Sequence, residues 1–178
     1  SNNQATGLLP RIADVQETIT PIEGSWNVYF DPRWGGPGKV VFDELIDWTV
    51  HADTGIRYYS GTAVYHKELN LAMPAQNERL LLRFPRLGSL ARVWVNGKEV
   101  VTVWCSPWEA DITSYVHEGK NNLKIEVVNS LMNRMIGDAS LPESERFTYA
   151  YPQIVTPTDK LVPSGIMEQL NLVYRQYQ

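Results

Sequence analysis

Acidic side chains are the first place to look for chemistry in this chain. Asp43, Glu44 and Asp47 fall close together, and Glu143 and Glu145 are separated by one residue. Cleavage of a glycosidic bond needs two carboxyl groups about 5–10 Å apart across a sugar. Nothing in the flanking sequence marks either acidic group as desolvated or paired, so both read as surface charge. His51, His66 and His117 are scattered without ligand spacing, and Cys105 is the single cysteine. That pattern argues against a zinc site, which needs clustered thiolates and imidazoles, and it leaves no internal disulfide. The run Gly35–Lys39 (GGPGK) matches part of a phosphate-binding loop, but Val40 stands where a Ser or Thr should hold magnesium, and the preceding spacing is wrong. It reads as a turn.

The aromatic residues carry more information. The chain has six tryptophans and nine tyrosines in 178 residues. Rings at this density either fill a sandwich core or line a sugar-binding surface. An exposed indole or phenol ring packs flat against the C–H face of a sugar, while polar side chains at the rim fix its orientation. Trp34 lies in a glycine- and proline-rich loop where no strand explains it. Trp104 and Trp108 flank a Cys-Ser-Pro turn, and Tyr58 precedes the longest alternating run. These four are candidate carbohydrate contacts, because loops carry function disproportionately. Arg134 and Asp138, in the NRMIGD segment, could supply polar contacts to a sugar or form an internal ion pair that pins their loop. Trp26 belongs to the core by its alternation; Trp48 and Trp94 read as packing residues.

The elements that position these side chains are strands. Ser60–Leu71 alternates Gly61, Ala63, Tyr65, Leu69 and Leu71 against polar neighbours, the period of two of a half-buried strand. Gly61 is its plausible weak point. Ser25–Asp31, Val40–Asp43, Arg79–Phe84, Leu123–Val127 and Gln169–Tyr174 repeat the pattern more briefly. VWVNGKEVVTV is two β-rich runs joined at Asn96-Gly97, the strongest short-range hairpin signal. Asp111 is a candidate cap for one helical turn over Ile112–Val116, and Asn129–Asp138 loses the period and reads as a loop or helical turn. Leu141–Pro163 is a long polar excursion of the kind that covers or builds something. Many short strands, frequent turns and almost no helix predict an all-β antiparallel β-sandwich closed as a jelly roll. Residues 1–21 read as a lead-in segment and 22–178 as one sandwich domain, within the size range of a single unit.

Composition narrows the partners. With 43% hydrophobic residues the chain can bury a core, and a net charge of −4 without a basic run argues against nucleic acid. No apolar stretch approaches the ~20 residues of a membrane-spanning helix.

Several ordered segments resemble a known family. YYSGTAVYHKELNL, RVWVNGKEV and DITSYVHEGKNNLKIEV are similar to the sugar-binding β-sandwich of family 2 glycoside hydrolases, a module of galactose-binding-domain-like jelly-roll fold. More narrowly, GSWNVYFDPRWGGP, GIRYYSGTAVY, NSLMNRMIGD and LVPSGIMEQLNL resemble the carboxy-terminal domain of glycoside hydrolase family 106 α-L-rhamnosidases. The likeness covers about residues 22–174. It implies a non-catalytic, carbohydrate-associated accessory module, because the catalytic acids of those enzymes lie in a separate barrel domain for which this chain has no room. The implied partners are a rhamnose- or galactose-containing glycan and a catalytic domain of the same or another chain. The implied location is the bacterial periplasm or exterior. No cofactor is implied, although relatives of the fold sometimes hold a structural calcium in loops. A purely structural or protein-interaction sandwich is the alternative.

Overall fold

Along Thr62–Leu71, Ala63, Tyr65, Leu69 and Leu71 are buried while Thr62, His66, Glu68 and Asn70 face solvent. The period of two therefore sorts side chains between a core and an outer face, as the pleat requires. The structure, a computed structural model, describes residues 15–148 and 155–177. In chain order its strands are β1 (Val15–Pro21), β2 (Trp26–Phe30), β3 (Gly38–Phe42), β4 (Thr62–Leu71), β5 (Glu78–Arg83), β6 (Leu90–Val95), β7 (Lys98–Val103), β8 (Glu109–Asp111), β9 (Gly119–Val128) and β10 (Asn171–Tyr177). Two short helices, α1 (Thr54–Arg57) and α2 (Met132–Asp138), lie in the connections.

The strands form two antiparallel sheets, ordered β3-β2-β4-β9-β6-β7 and β1-β10-β5-β8. The chain is thus an all-β sandwich. Its middle is filled from both layers: Val28, Phe30, Tyr65, Val93 and Ile125 from the larger sheet, Leu80, Leu82 and Leu172 from the smaller. Phe30 sits at the hub of an aromatic cluster, edge-on to Trp48 (centroids 5.2 Å apart) and to Tyr59 (5.0 Å). Each such pair adds about 0.5–1.5 kcal/mol beyond its area burial. Much of the aromatic content is thereby explained by the core, Trp26 and Trp48 included, both fully buried.

The hairpin forms where Asn96-Gly97 places it. Asn96 has φ 52° and Gly97 φ 79°, the two positive angles of a type I′ turn. Asp111 Oδ1 accepts the Thr113 N–H at 3.0 Å and opens the short 3-10 turn Thr113–Tyr115. Within Asn129–Asp138, the last seven residues form α2. The last seven residues of the expected lead-in form β1, an edge strand whose ladder partner is β10, with every residue exposed.

Candidate functional site

The strand registers decide which loops share an end. Phe30 pairs with Ala63, Ala63 with Val127, Val127 with Ala91, and Ala91 with Val103, a single row across the larger sheet. The segments after Phe30, before Ala63, after Val127 and after Val103 all leave the sandwich at that end. Trp34, Tyr58, Arg134, Asp138 and Trp104 are consequently at one end, and Trp108 follows on the same connection. β2 and β7 are four strand steps apart, about 19 Å. The candidates therefore divide into two groups that one sugar ring cannot bridge.

The first group is built around Arg134. Its guanidinium carbon lies 5.0 Å from the centre of the Phe147 ring and 5.9 Å from that of Tyr58. Nε is 3.1 Å from Asp138 Oδ1, one helical turn away, but not aligned as a hydrogen bond, so the pair is held by charge. Both side chains are nearly fully buried. Burial pulls the Arg134 pKa down from its ordinary value against the opposing pull of Asp138; a guanidinium stays charged regardless. Asp138 Oδ2 accepts three hydrogen bonds, from Phe147 N–H (3.0 Å), Thr148 N–H (2.8 Å) and the Thr148 hydroxyl (2.8 Å). The Arg134 N–H donates to Ser60 Oγ at 3.2 Å. This is the internal ion pair: it ties α2 to the start of β4 and to the segment ending at Thr148.

Trp34 is held beside that clip. Asp31 caps the 3-10 turn Pro32–Trp34 by accepting the Arg33 N–H, and Gly35 ends it at φ 76°. A Cβ on Gly35 would lie 2.9 Å from Arg134 Nη1 and 3.0 Å from the Phe147 ring. The glycine is thus needed both for its left-handed backbone and for room. Trp34 is 47% exposed and Phe147 38%. Tyr58 is half-buried, its ring against Gly137 and Arg134. Tyr58 and Phe147 both face the Arg134 guanidinium, and Trp34 precedes the Gly35 that Phe147 approaches; Phe147, absent from the sequence-derived set, lies in a polar stretch without periodicity and gave no local signal.

The second group differs. Trp104 is 69% exposed, whereas Trp108 is partly buried against the core and its carbonyl accepts the Phe84 N–H at 2.8 Å. Trp104 alone of this pair offers a free ring.

The acidic groups have other roles. Asp47 Oδ1 accepts from the Thr49 N–H and hydroxyl and from the Ser164 N–H (3.0, 2.9 and 3.1 Å), which makes it a cap and a tie. Asp43, Glu44, Glu143 and Glu145 are exposed. His51 stacks on Phe42, His117 bonds the Glu118 carbonyl, and His66 faces out from β4. Among the described residues no three His, Cys, Asp or Glu side chains converge to hold a metal, and no helix is long and apolar enough to cross a membrane.

Comparisons with known proteins agree with this architecture. The sugar binding domain of glycosyl hydrolases family 2 matches residues 13–175. The structure of a rhamnosidase from Novosphingobium sp. PP1Y superposes at TM-score 0.83 with 32% identity, over 89% of this chain and 15% of that one. A β-glucuronidase from Ruminococcus gnavus shares the fold at TM-score 0.60 and 21% identity, over 89% of this chain and 29% of that one. A putative β-glucuronidase of Formosa agariphila is 39% identical over 123 residues, 68% of this chain. The chain spans about a tenth of that curated relative's length, 11%. Since the family match runs across nearly every described strand, the chain belongs to the family 2 glycosyl hydrolase sugar-binding domains.

Proposed function

We propose that this chain is a non-catalytic, carbohydrate-associated module of an α-L-rhamnosidase-like glycoside hydrolase, of the kind found at the carboxy terminus of family 106 enzymes. It holds plant-type glycan weakly or braces a catalytic domain, in the periplasm or outside the cell. The observation that carries this reading is the likeness to the Novosphingobium rhamnosidase, 0.83 in TM-score against 0.60 for the Ruminococcus glucuronidase.

The acids of the smaller sheet's outer face support the non-catalytic part. Glu17 and Glu109 share Arg83 and Arg175, with closest N–O separations of 2.6–2.9 Å. The Arg83 guanidinium, ahead of Arg175, holds the Glu17 carboxyl below its usual range. A general acid needs the opposite shift. The bracing part draws on the loop end, where Trp34, Leu131, Met132, Phe147 and Val162 are exposed. Asn133 Nδ2 donates to the Val162 carbonyl at 2.8 Å, which joins α2 to that last segment. Clustered exposed apolar side chains mark contact surfaces.

Tryptophan fluorescence during titration with rhamnose-containing oligosaccharides tests the binding, and an aryl rhamnoside assay tests the absence of turnover. A saturable fluorescence change without hydrolysis is expected. Turnover by the purified chain would overthrow the non-catalytic reading, and a silent titration at high millimolar sugar would leave only the bracing role.

A further inference from the structure

The two sheets leave β1 and β8 at the margins of the smaller layer and β3 and β7 at those of the larger. A marginal strand offers its unpaired N–H and C=O groups to any other strand unless something blunts it. All but β1 are blunted. β8 has three residues. β3 carries the exposed Lys39. β7 opens on exposed Lys98 and Glu99, and its ladder with β6 slips register between Val93 and Trp94. β1 keeps an unbroken register with β10, from Val15 opposite Tyr177 to Pro21 opposite Asn171. It has no lysine, and its one acid, Glu17, is already neutralised by Arg83 and Arg175, at 2.8 and 2.6 Å. Val15 (46% exposed), Ile19 (51%) and Tyr177 (45%) put apolar surface along it. Among the described residues nothing pairs with its other side.

The direction of the backbone groups is fixed at the end of the strand. The Ile22 N–H donates to the Leu170 carbonyl at 2.8 Å, toward β10. These groups alternate sides along a strand. Val15, Glu17 and Ile19 therefore turn their N–H and C=O groups outward, and Pro21, which has no N–H, turns out its C=O.

We infer that β1 pairs with β1 of a second copy of this chain, antiparallel about a two-fold axis through Thr18, which joins the two smaller sheets into one. Since only alternate residues face outward, the axis must pass through a residue, and Thr18 is the middle of the strand. Pairing there sets Thr18 opposite Thr18 and Gln16 opposite Thr20, polar pairs that suit facing strands. Glu17 stands opposite Ile19 of the second copy, and the two exchange N–H···O=C bonds. Val15 N–H donates to the second copy's Pro21 carbonyl. Tyr177, Val15 and that proline then form one apolar row across the joint. An axis through Glu17 would set two carboxylates face to face, and one through Ile19 would leave Val15 and Gln16 without partners. Because the paired strands run opposite ways, the loop ends of the two copies point apart, and the dimer leaves both free. The inference is independent of the carbohydrate reading above. A joint of this length lies at the low end of interface size, so the dimer is weak and forms at high concentration.

Analytical ultracentrifugation of the full chain, from low micromolar to millimolar concentration, tests this together with amide hydrogen exchange read by NMR. A reversible monomer–dimer equilibrium is expected. The Glu17 and Ile19 amides face water in the monomer and should gain protection as concentration rises, whereas those of Gln16, Thr18 and Thr20, turned toward β10, should keep theirs. Ile19→Pro removes an outward N–H and leaves the β10 ladder its bonds. Thr18→Lys, at an exposed position, sets two ammonium groups opposite each other. Both variants should stay monomeric with a thermal midpoint close to wild type, and Val41→Lys, on β3, should dimerise as wild type does. A chain that remains monomeric at millimolar concentration overturns the inference. So does a dimer that survives both Thr18→Lys and Ile19→Pro, or one whose new protection falls on β3, β7 or β8.

Discussion

Trp48 Nε1 donates a hydrogen bond of 2.7 Å to the Tyr65 hydroxyl inside the core, and neither side chain touches solvent. The bond joins the connection after β3 to the centre of β4. Burial raises the Tyr65 pKa well above its ordinary value, so the hydroxyl stays neutral at all working pH. Tyr65→Phe removes the acceptor and leaves a buried indole N–H unpaired. The expected loss is about 1–3 kcal/mol, read as a lower urea midpoint with an unchanged slope.

The same indole defines what residue 165 can be. Gly165 has φ 82°, and a Cβ there would clash with the Trp48 indole, nearest Nε1, Cε2 and Cδ1. Gly165→Ala combines a left-handed backbone cost with forced displacement of a packed side chain. It should destabilise by about 2–4 kcal/mol, measurable as a clear drop in thermal midpoint.

The Arg134–Asp138 pair predicts an asymmetry between single and double changes. Asp138→Asn leaves a guanidinium buried without its countercharge, at about 3–5 kcal/mol. Replacing both together, Arg134→Met with Asp138→Asn, removes both charges while keeping a side-chain oxygen for the Phe147 and Thr148 N–H groups, and should cost less than Asp138→Asn alone. Asp138→Leu, by contrast, deprives the Phe147 and Thr148 N–H groups of their acceptor, so limited proteolysis near Thr148 should accelerate in it. Equal destabilisation by the single and double variants would contradict the pairing.

The Glu17 carboxyl supplies a pH dependence. Its folded pKa lies below its ordinary value of 4.5, because of Arg83 first and then Arg175. A lowered folded pKa stabilises above the unfolded value, and the contribution disappears as pH falls through the folded value. Glu17→Gln should therefore show a shallower acid loss below pH 4.5 than wild type. The carboxylate is a quarter exposed, at 26%, so the difference at neutral pH should stay within about 1 kcal/mol and shrink in high salt.

The separation of the loop aromatics yields a further test. With β2 and β7 about 19 Å apart, Trp34 and Trp104 cannot both report on one monosaccharide. Trp34→Ala and Trp104→Ala should differ in fluorescence response to a small sugar, one keeping the wild-type signal change. Loss of response in both would refute the two-group arrangement.

The parts legible in the sequence are those whose cause is local. The Asn96-Gly97 turn needs only its own two residues, and the long β4 run announces its buried face by alternation alone. β1 was not legible, because all seven of its residues are exposed and no apolar side is left to produce a pattern. β8, with three residues, is too short to alternate. The Arg134–Asp138 pairing followed from helical spacing once α2 is known, but the three acceptor bonds of Asp138 depend on residues nine and ten positions further on. Trp94, read from the sequence as a packing residue, stands instead on the outer face of β6, opposite to buried Ala91, Val93 and Val95; the Lys124 that covers it comes from β9, and no local pattern shows it.

β10 lies between β1 and β5, with Val15 opposite Tyr177 and Leu172 opposite Leu82. During synthesis the ribosome delivers this middle strand after every other described one. Until Leu172 and Tyr174 emerge, the nascent smaller layer has two halves with nothing to join them, and Leu80 and Leu82 stay uncovered on that side. The smaller layer therefore stays open and sticky until β10 joins it. Holdase chaperones would find their target in that interval.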